Sequence, residues 1–154
     1  MIGKMDIIPV QLEDKHYRTV RGIFRNTFDR TDFPLSKLNL SWHYRSKDES
    51  YAFFLGDVFI GFIITSHHMK NRGNLYVDYI AFKEEYRGEG LGTIIMTDML
   101  KQFKELGRSV HLYPERESLW PWYERLGFHK TYDGYYNFHS YDTRSHTQSR
   151  KTLV

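Results

Sequence analysis

The segment from Leu75 to Leu106, LYVDYIAFKEEYRGEGLGTIIMTDMLKQFKEL, restricts the fold more than any other stretch of the chain. An apolar, aromatic-rich run from Leu75 to Phe82 has strand character. It enters a polar turn, passes through Arg87-Gly88-Glu89-Gly90-Leu91-Gly92, and continues as a helical pattern. Glycines at a strand-to-helix junction let the backbone come close to a ligand, and the first amides of the helix have no intrahelical partner. Such an end attracts phosphate through free N–H groups and the positive end of the helix dipole. A phosphate-bearing ligand is therefore expected here. Two common versions are excluded, because G-x-G-x-x-G does not occur and no Gly-Lys-Ser/Thr closes the glycines.

The pattern around this segment alternates strands and helices. Residues Met5 to Leu12 read as a strand that ends in Glu13-Asp14, a pair suited to a helix start. Tyr17, Val20, Ile23, Phe24 and Phe28 recur at three- and four-residue steps and predict an amphipathic helix. Pro34 stops it and opens a shorter helix carrying Leu35, Leu38, Leu40 and Trp42. Tyr51 to Leu55, Gly56-Asp57 and Val58 to Ser66 predict a hairpin, and Lys70 to Asn74 a further turn. The helix from Gly90 to Leu106 should stop at Gly107. A short strand follows from Ser109 to Tyr113. Ser118 is the expected cap of a last helix that tolerates Pro121 in its first turn, and Phe128 to Phe138 reads as a closing hairpin about Asp133-Gly134.

At 154 residues the chain is one domain, residues 1–140, and it is long enough to bury roughly two-thirds of its unfolded surface. Residues 141–154 are polar and basic without periodicity, the pattern of a mobile tail. No apolar run approaches a membrane span, MIGKMDII lacks a signal-peptide pattern, and there is no cysteine. A soluble, cytoplasmic protein with no membrane association is expected. The net charge of +3 is small and its basic residues are scattered, a poor footprint for nucleic acid. His67-His68 would face opposite sides of a strand and no H-E-x-x-H spacing occurs, so the 8 histidines read as solvated or capping rather than metal ligands.

Arg-x-x-Gly-x-Gly between a strand and an amphipathic helix resembles the acetyl-coenzyme A loop of the GCN5-related N-acetyltransferase (GNAT) superfamily. Downstream, Tyr123-Glu124-Arg125-Leu126-Gly127-Phe128 is similar to that family's Y-x-x-x-G-F ending. The resemblance covers nearly the whole chain. It implies an α/β fold in the order β-α-α-β-β-β-α-β-α-β-β: a twisted, mixed, mostly antiparallel sheet of about seven strands with helices on both faces. It implies acetyl-coenzyme A as co-substrate and no metal. The backbone of Ile80, Ala81 and Phe82 would hold the pantetheine arm and thioester carbonyl. Arg87, Gly88, Glu89, Gly90, Leu91, Gly92 and Thr93 would cradle the pyrophosphate. Glu89 stands where many relatives have Lys, and Arg116 where many have an Asn that contacts the coenzyme; Arg116 would replace it with a charge-assisted bond.

Tyr123 stands where relatives have the tyrosine that protonates the coenzyme A thiolate; its alternative reading is a buried ring packing beside Trp120 and Trp122. Asp78 is a lone carboxylate inside an aromatic strand, where burial without a partner is expensive. Tyr76-Val-Asp-Tyr-Ile-Ala-Phe82 is similar to the Tyr-x-Glu-Asp strand of spermidine/spermine and diamine acetyltransferases, in which the matching acid faces the substrate amine. Phe28-Asp29 falls where that subfamily has an aromatic–acidic pair. Releasing a proton from an ammonium of pKa ~10.4 at pH 7 costs about 4–5 kcal/mol, so Asp78 is expected to orient the amine and relay its proton through water. Asp29 and Asp32 would hold a distal charge. The expected activity is acetyl transfer to a small cationic amine, polyamine or diamine first, with protein lysine or an N-terminal amine as the alternative. A non-catalytic acyl-coenzyme A-binding module is the reading from a different class. A homodimer stays open.

Overall fold

The computed structural model describes residues 7–67, 74–88, 90–114, 117–130 and 136–138. Met5, Glu89, Arg116, the turns at residues 70–73 and 133–134, and the tail from residue 141 lie outside the described residues. The chain divides into two compact units, Met1–Ser66 with Val77–Ile95, and His67–Tyr76 with Met96–Val154.

In the first unit, β1 (Ile7–Gln11) pairs antiparallel with β2 (Tyr51–Leu55), and β2 with β3 (Val58–His67). Gly56, at φ +60°, turns the β2–β3 hairpin. The register steps from Phe53↔Gly61 to Phe54↔Phe59, which leaves Ile60 as an extra, bulged residue. The chain after β1 starts its helix as Glu13-Asp14 suggests. The His16 N–H donates to the Glu13 backbone O at 2.9 Å, and the Glu13 N–H donates to His16 Nδ1 at 2.9 Å. His16 is thus a capping histidine, and burial pushes its pKa down, which keeps Nδ1 an acceptor.

Helix α1 (Tyr17–Thr27) buries Val20, Ile23 and Phe24 of the expected stripe, but it ends before Phe28, which is extended at φ −108° and ψ 143°. Pro34 therefore does not stop it and only opens α2 (Leu35–His43). Val20, Ile23 and Phe24 join Leu38 of α2 and Phe59, Phe62 and Ile64 of β3 in one apolar cluster. Leu40, one of the residues of the α2 pattern, is 61% exposed. On a nine-residue helix it lies two residues from Leu38 and so turns to another face.

Strand β4 (Asn74–Phe82) runs through both units. In the second unit its residues Asn74, Leu75 and Tyr76 pair in parallel with Ser109, Val110 and His111 of β5 (Ser109–Leu112). Antiparallel pairings then join β5 to β7 (Tyr136–Phe138), and β7 to β6 (His129–Lys130). The hydrogen-bonded order β1-β2-β3-β4-β5-β7-β6 is a mixed seven-stranded sheet, as the family resemblance implies. Helix α3 (Leu91–Glu105) buries Leu91, Ile95, Met99 and Phe103 at four-residue steps. It stops at Gly107, φ +76°, where the Arg108 N–H returns to Phe103 O at 2.8 Å.

The last helix differs in one detail from expectation. Helix α4 (Trp120–Arg125) takes Leu119 as its cap residue with no side-chain bond, so Ser118 does not cap it. A short 3-10 turn at Glu117–Leu119 feeds the chain into the helix and puts Ser118 inside that turn. Among the described residues no helix is long and apolar enough to cross a membrane.

Candidate active site

The register of β4 defines the site. Pairing with β5 ends at Tyr76↔His111, while β4 continues to Phe82. On its other side, Lys83 N–H donates to Ile60 O at 2.8 Å, next to the β3 bulge. Backbone groups alternate in direction along a strand, so Ala81 shares the β3 side with Lys83. The N–H groups of Ile80 and Phe82 therefore face the edge beyond the β5 register. A linear chain carrying amides and a carbonyl can dock on such an edge as an added strand. The closeness to β3 is enforced by Gly61. A Cβ there would stand 2.7 Å from Ala81 O and closer still to the Phe82 ring. A glycine in a strand interior was the signal for this approach.

Past Phe82 the chain makes a 3-10 turn at Glu84–Tyr86 and reaches the glycines. Gly88 and Gly90 both sit at φ +80°, a conformation that favours glycine, and among the described residues a Cβ at either would meet no atom within 4 Å beyond its chain neighbours. The first helical bond runs from Ile94 N–H to Gly90 O at 3.1 Å, so the amides of Leu91 and Gly92 precede it, with Thr93 in the same turn. Open space over two glycines at a helix N-terminus fits a pyrophosphate. Arg87, expected among the phosphate donors, turns its guanidinium to the protein: Nε donates to Phe82 O at 2.8 Å and Nη2 to Thr27 Oγ1 at 2.7 Å.

Asp78 is half-buried on the same strand. Ser66 Oγ, on β3, donates to its Oδ1 at 2.7 Å, and the Ser41 hydroxyl of α2 also favours its ionised form. Burial pushes the carboxyl above the usual carboxylate range, and the two hydroxyls oppose that shift without cancelling it. Ser66 carried no sequence signal, because only the pairing of β3 with β4 brings it to Asp78. The next residue, Tyr79, joins rings from α1 and the loop after it. Its centroid lies 5.1 Å from Phe24, 5.3 Å from Phe28 and 6.3 Å from Phe33. Burial, then the Asp78 charge, raises the Tyr79 pKa, so its hydroxyl stays protonated. Phe28 is thus a core ring beside Asp78's neighbour. Asp29 is exposed and its Oδ1 accepts from Thr31 N–H at 3.2 Å; Asp32, further along, is exposed too.

Tyr123 belongs to the second unit. It is 5% exposed, with its ring 4.9 Å from Trp122 and 5.7 Å from Phe128. Gly127, φ +106°, reverses the chain so that Phe128 N–H returns to Tyr123 O at 3.1 Å. The Tyr-x-x-x-Gly-Phe spacing is therefore a helix stop whose flanking rings pack together. The Tyr123 ring therefore packs beside Trp122, as its alternative reading expects. Among the described residues no group of three or more His, Asp or Glu could hold a metal ion.

The chain is similar in fold to several solved acetyltransferases. A GNAT-family N-acetyltransferase (YhbS) from Escherichia coli, solved with coenzyme A, has a TM-score of 0.70 at 15% identity over 93% of this chain and 86% of that one. The ribosomal-protein-S18-alanine N-acetyltransferase from Escherichia coli gives 0.67 at 14% identity, over 96% and 99%. Ard1 from Thermoplasma volcanium gives 0.64 at 18% identity, over 86% and 95%. Such identities establish the fold alone. A comparison with curated protein sequences found no match. The model of the acetyltransferase (GNAT) family matches residues 14–128, which include the β4 edge, the glycine loop and Tyr123, and the chain belongs to that family.

Proposed function

We propose that the protein transfers the acetyl group of acetyl-coenzyme A to a primary amine of a small cationic acceptor, a diamine or polyamine before other amines. The observation that carries the transfer reading is the β4 edge, which runs directly into an open glycine loop at the N-terminus of α3. The edge amides of Ile80 and Phe82 would bond the pantetheine arm and the thioester carbonyl, and the latter bond strengthens as charge develops on that oxygen. The loop and the first amides of α3 would hold the pyrophosphate.

Asp78 supports the choice of a cationic acceptor. A carboxyl held above its usual pKa is a better proton acceptor than an exposed aspartate, and when ionised it attracts an ammonium group. Asp78 would orient the amine and pass its proton to water. The free amine nitrogen then attacks the thioester carbon, the carbon–sulfur bond breaks, the Tyr123 hydroxyl gives a proton to the departing sulfur, and the surplus proton on the nitrogen passes through water to restore that hydroxyl. Exposed Asp29 and Asp32 on the loop after α1 would receive a second positive charge, which favours diamines.

Thiol release from acetyl-coenzyme A, measured against diamines, triamines, monoamines and peptides with a free N-terminus, tests the proposal. Diamines should give the highest kcat/KM, and Asp29→Asn should raise their KM while sparing monoamines. Preference for peptides, with Asp29→Asn equal on all amines, would move the acceptor to an N-terminal or lysine amine of a protein.

A further inference from the structure

We propose that Arg87 is a positioning residue that ties the coenzyme loop to the acceptor loop. The inference rests on the transfer reading above. Its guanidinium bridges two points of the fold. Nε donates to Phe82 O, the last carbonyl of β4, and Nη2 donates to Thr27 Oγ1, the last side chain of α1. The Thr27 hydroxyl has one proton, and it gives that proton to Ile23 O at 2.7 Å. Toward Arg87 it can only accept, which suits a cationic donor. The cation also stands at the C-terminal end of α1, where the helix dipole favours it.

Both ends of this bridge adjoin residues given roles in the proposed transfer. Phe82 presents its N–H to the edge proposed for the thioester, and Arg87 holds the carbonyl of the same residue. Thr27 immediately precedes Phe28 and Asp29. Phe28 leaves the helix in extended conformation, φ −108° and ψ 143°, with its N–H on Phe24 O at 3.0 Å. The position of the acceptor loop is therefore set by the residue that opens the glycine loop. A planar fork can make both bonds at once, whereas an ammonium on a flexible stem has no such fixed geometry.

Arg87→Ala, Thr27→Val, their double variant and Thr27→Ser separate this role from phosphate binding. Arg87→Ala and Thr27→Val should each raise the acceptor KM about three- to tenfold, the scale of an exposed charge-assisted hydrogen bond, and leave kcat within about twofold. The double variant should be no worse than either single one, and Thr27→Ser, which keeps the hydroxyl, should behave as the unaltered protein. Coenzyme A affinity by calorimetry should not change in Thr27→Val. Hydrogen exchange of the Phe28 amide should quicken in both single variants. A normal KM and normal Phe28 protection in Thr27→Val overturns the proposal, and so do additive effects in the double variant. Loss of coenzyme affinity in Arg87→Ala, with no change at Phe28, overturns it too and makes Arg87 a phosphate ligand. If the unaltered protein acetylates no amine, the proposed function falls, and the exchange rate at Phe28 still decides whether the bridge holds the loop.

Discussion

The Ser66 hydroxyl donates a 2.7 Å hydrogen bond to Asp78 Oδ1, from the strand beside it in the sheet. This bond stabilises the ionised carboxylate, and burial opposes it more strongly, so the carboxyl sits above its ordinary range. The sign of the linkage follows. In the interval between the unfolded and folded pKa values the folded chain binds more protons, so stability falls as pH rises through it. The favourable contribution is complete below the ordinary carboxylate pKa and is lost above the raised one. Asp78→Asn stays neutral at every pH and should lack that loss. Melting temperatures from about pH 4 to about pH 8 should fall less with pH in the variant than in the unaltered protein. Parallel curves would show that Asp78 is not strained by burial. The activity of the unaltered protein should show an acid limb above the usual carboxylate range. Asp78→Asn should remove that limb and lower kcat/KM by ~10²–10⁴, the usual worth of a proton-transfer group.

Gly61 controls how closely β3 and β4 approach. Its substitution by alanine places a methyl against Ala81 O, 2.7 Å away, and against the Phe82 ring. Overpacking of this kind costs about 1–3 kcal/mol. Because Phe82 is proposed to bind the coenzyme through its N–H, and Ala81 precedes it on the strand, coenzyme affinity should fall along with the melting temperature. Chemical denaturation and calorimetry check both; a stable Gly61→Ala protein with full affinity would contradict the role given to this edge.

Gly90→Ala tests the loop differently, since among the described residues its methyl meets no atom within 4 Å beyond its chain neighbours and the cost lies in the φ of +80°. Holding a non-glycine residue there costs on the order of 1–3 kcal/mol. The added methyl also occupies the space where phosphate should come. Coenzyme A affinity should fall by more than the loss of stability accounts for, and a titration showing equal affinity would remove the phosphate cradle.

For Tyr123, the phenylalanine variant keeps the contacts with Trp122 and Phe128 and removes only the hydroxyl. A proton donor's loss should lower kcat by ~10²–10⁴ with little change in KM. Near-normal turnover would leave Tyr123 as the packing residue of a helix stop.

Much of this fold was legible because its signals are local. The three- and four-residue steps of Val20, Ile23 and Phe24 marked α1, Gly56-Asp57 marked a hairpin, and Gly107 marked the end of α3. The strand–glycine–helix order located the candidate loop for the same reason. What stayed hidden depends on register and long-range contact. The Ser66 partner of Asp78, the end of β4–β5 pairing at Tyr76, and the turn of Arg87 toward Thr27 depend on residues apart in the chain. Ser118 shows a local rule losing to another local structure, since the 3-10 turn displaced the cap to Leu119.

Product analysis by NMR tests the central claim most directly. The protein is incubated with acetyl-coenzyme A and a simple diamine, and the acetamide formed is compared with the thiol released. The account predicts one acetamide for each thiol, and a rate that falls with Asp78→Asn. Thiol release at an equal rate without amine, or no acetamide from any amine in the presence of bound acetyl-coenzyme A, would contradict it.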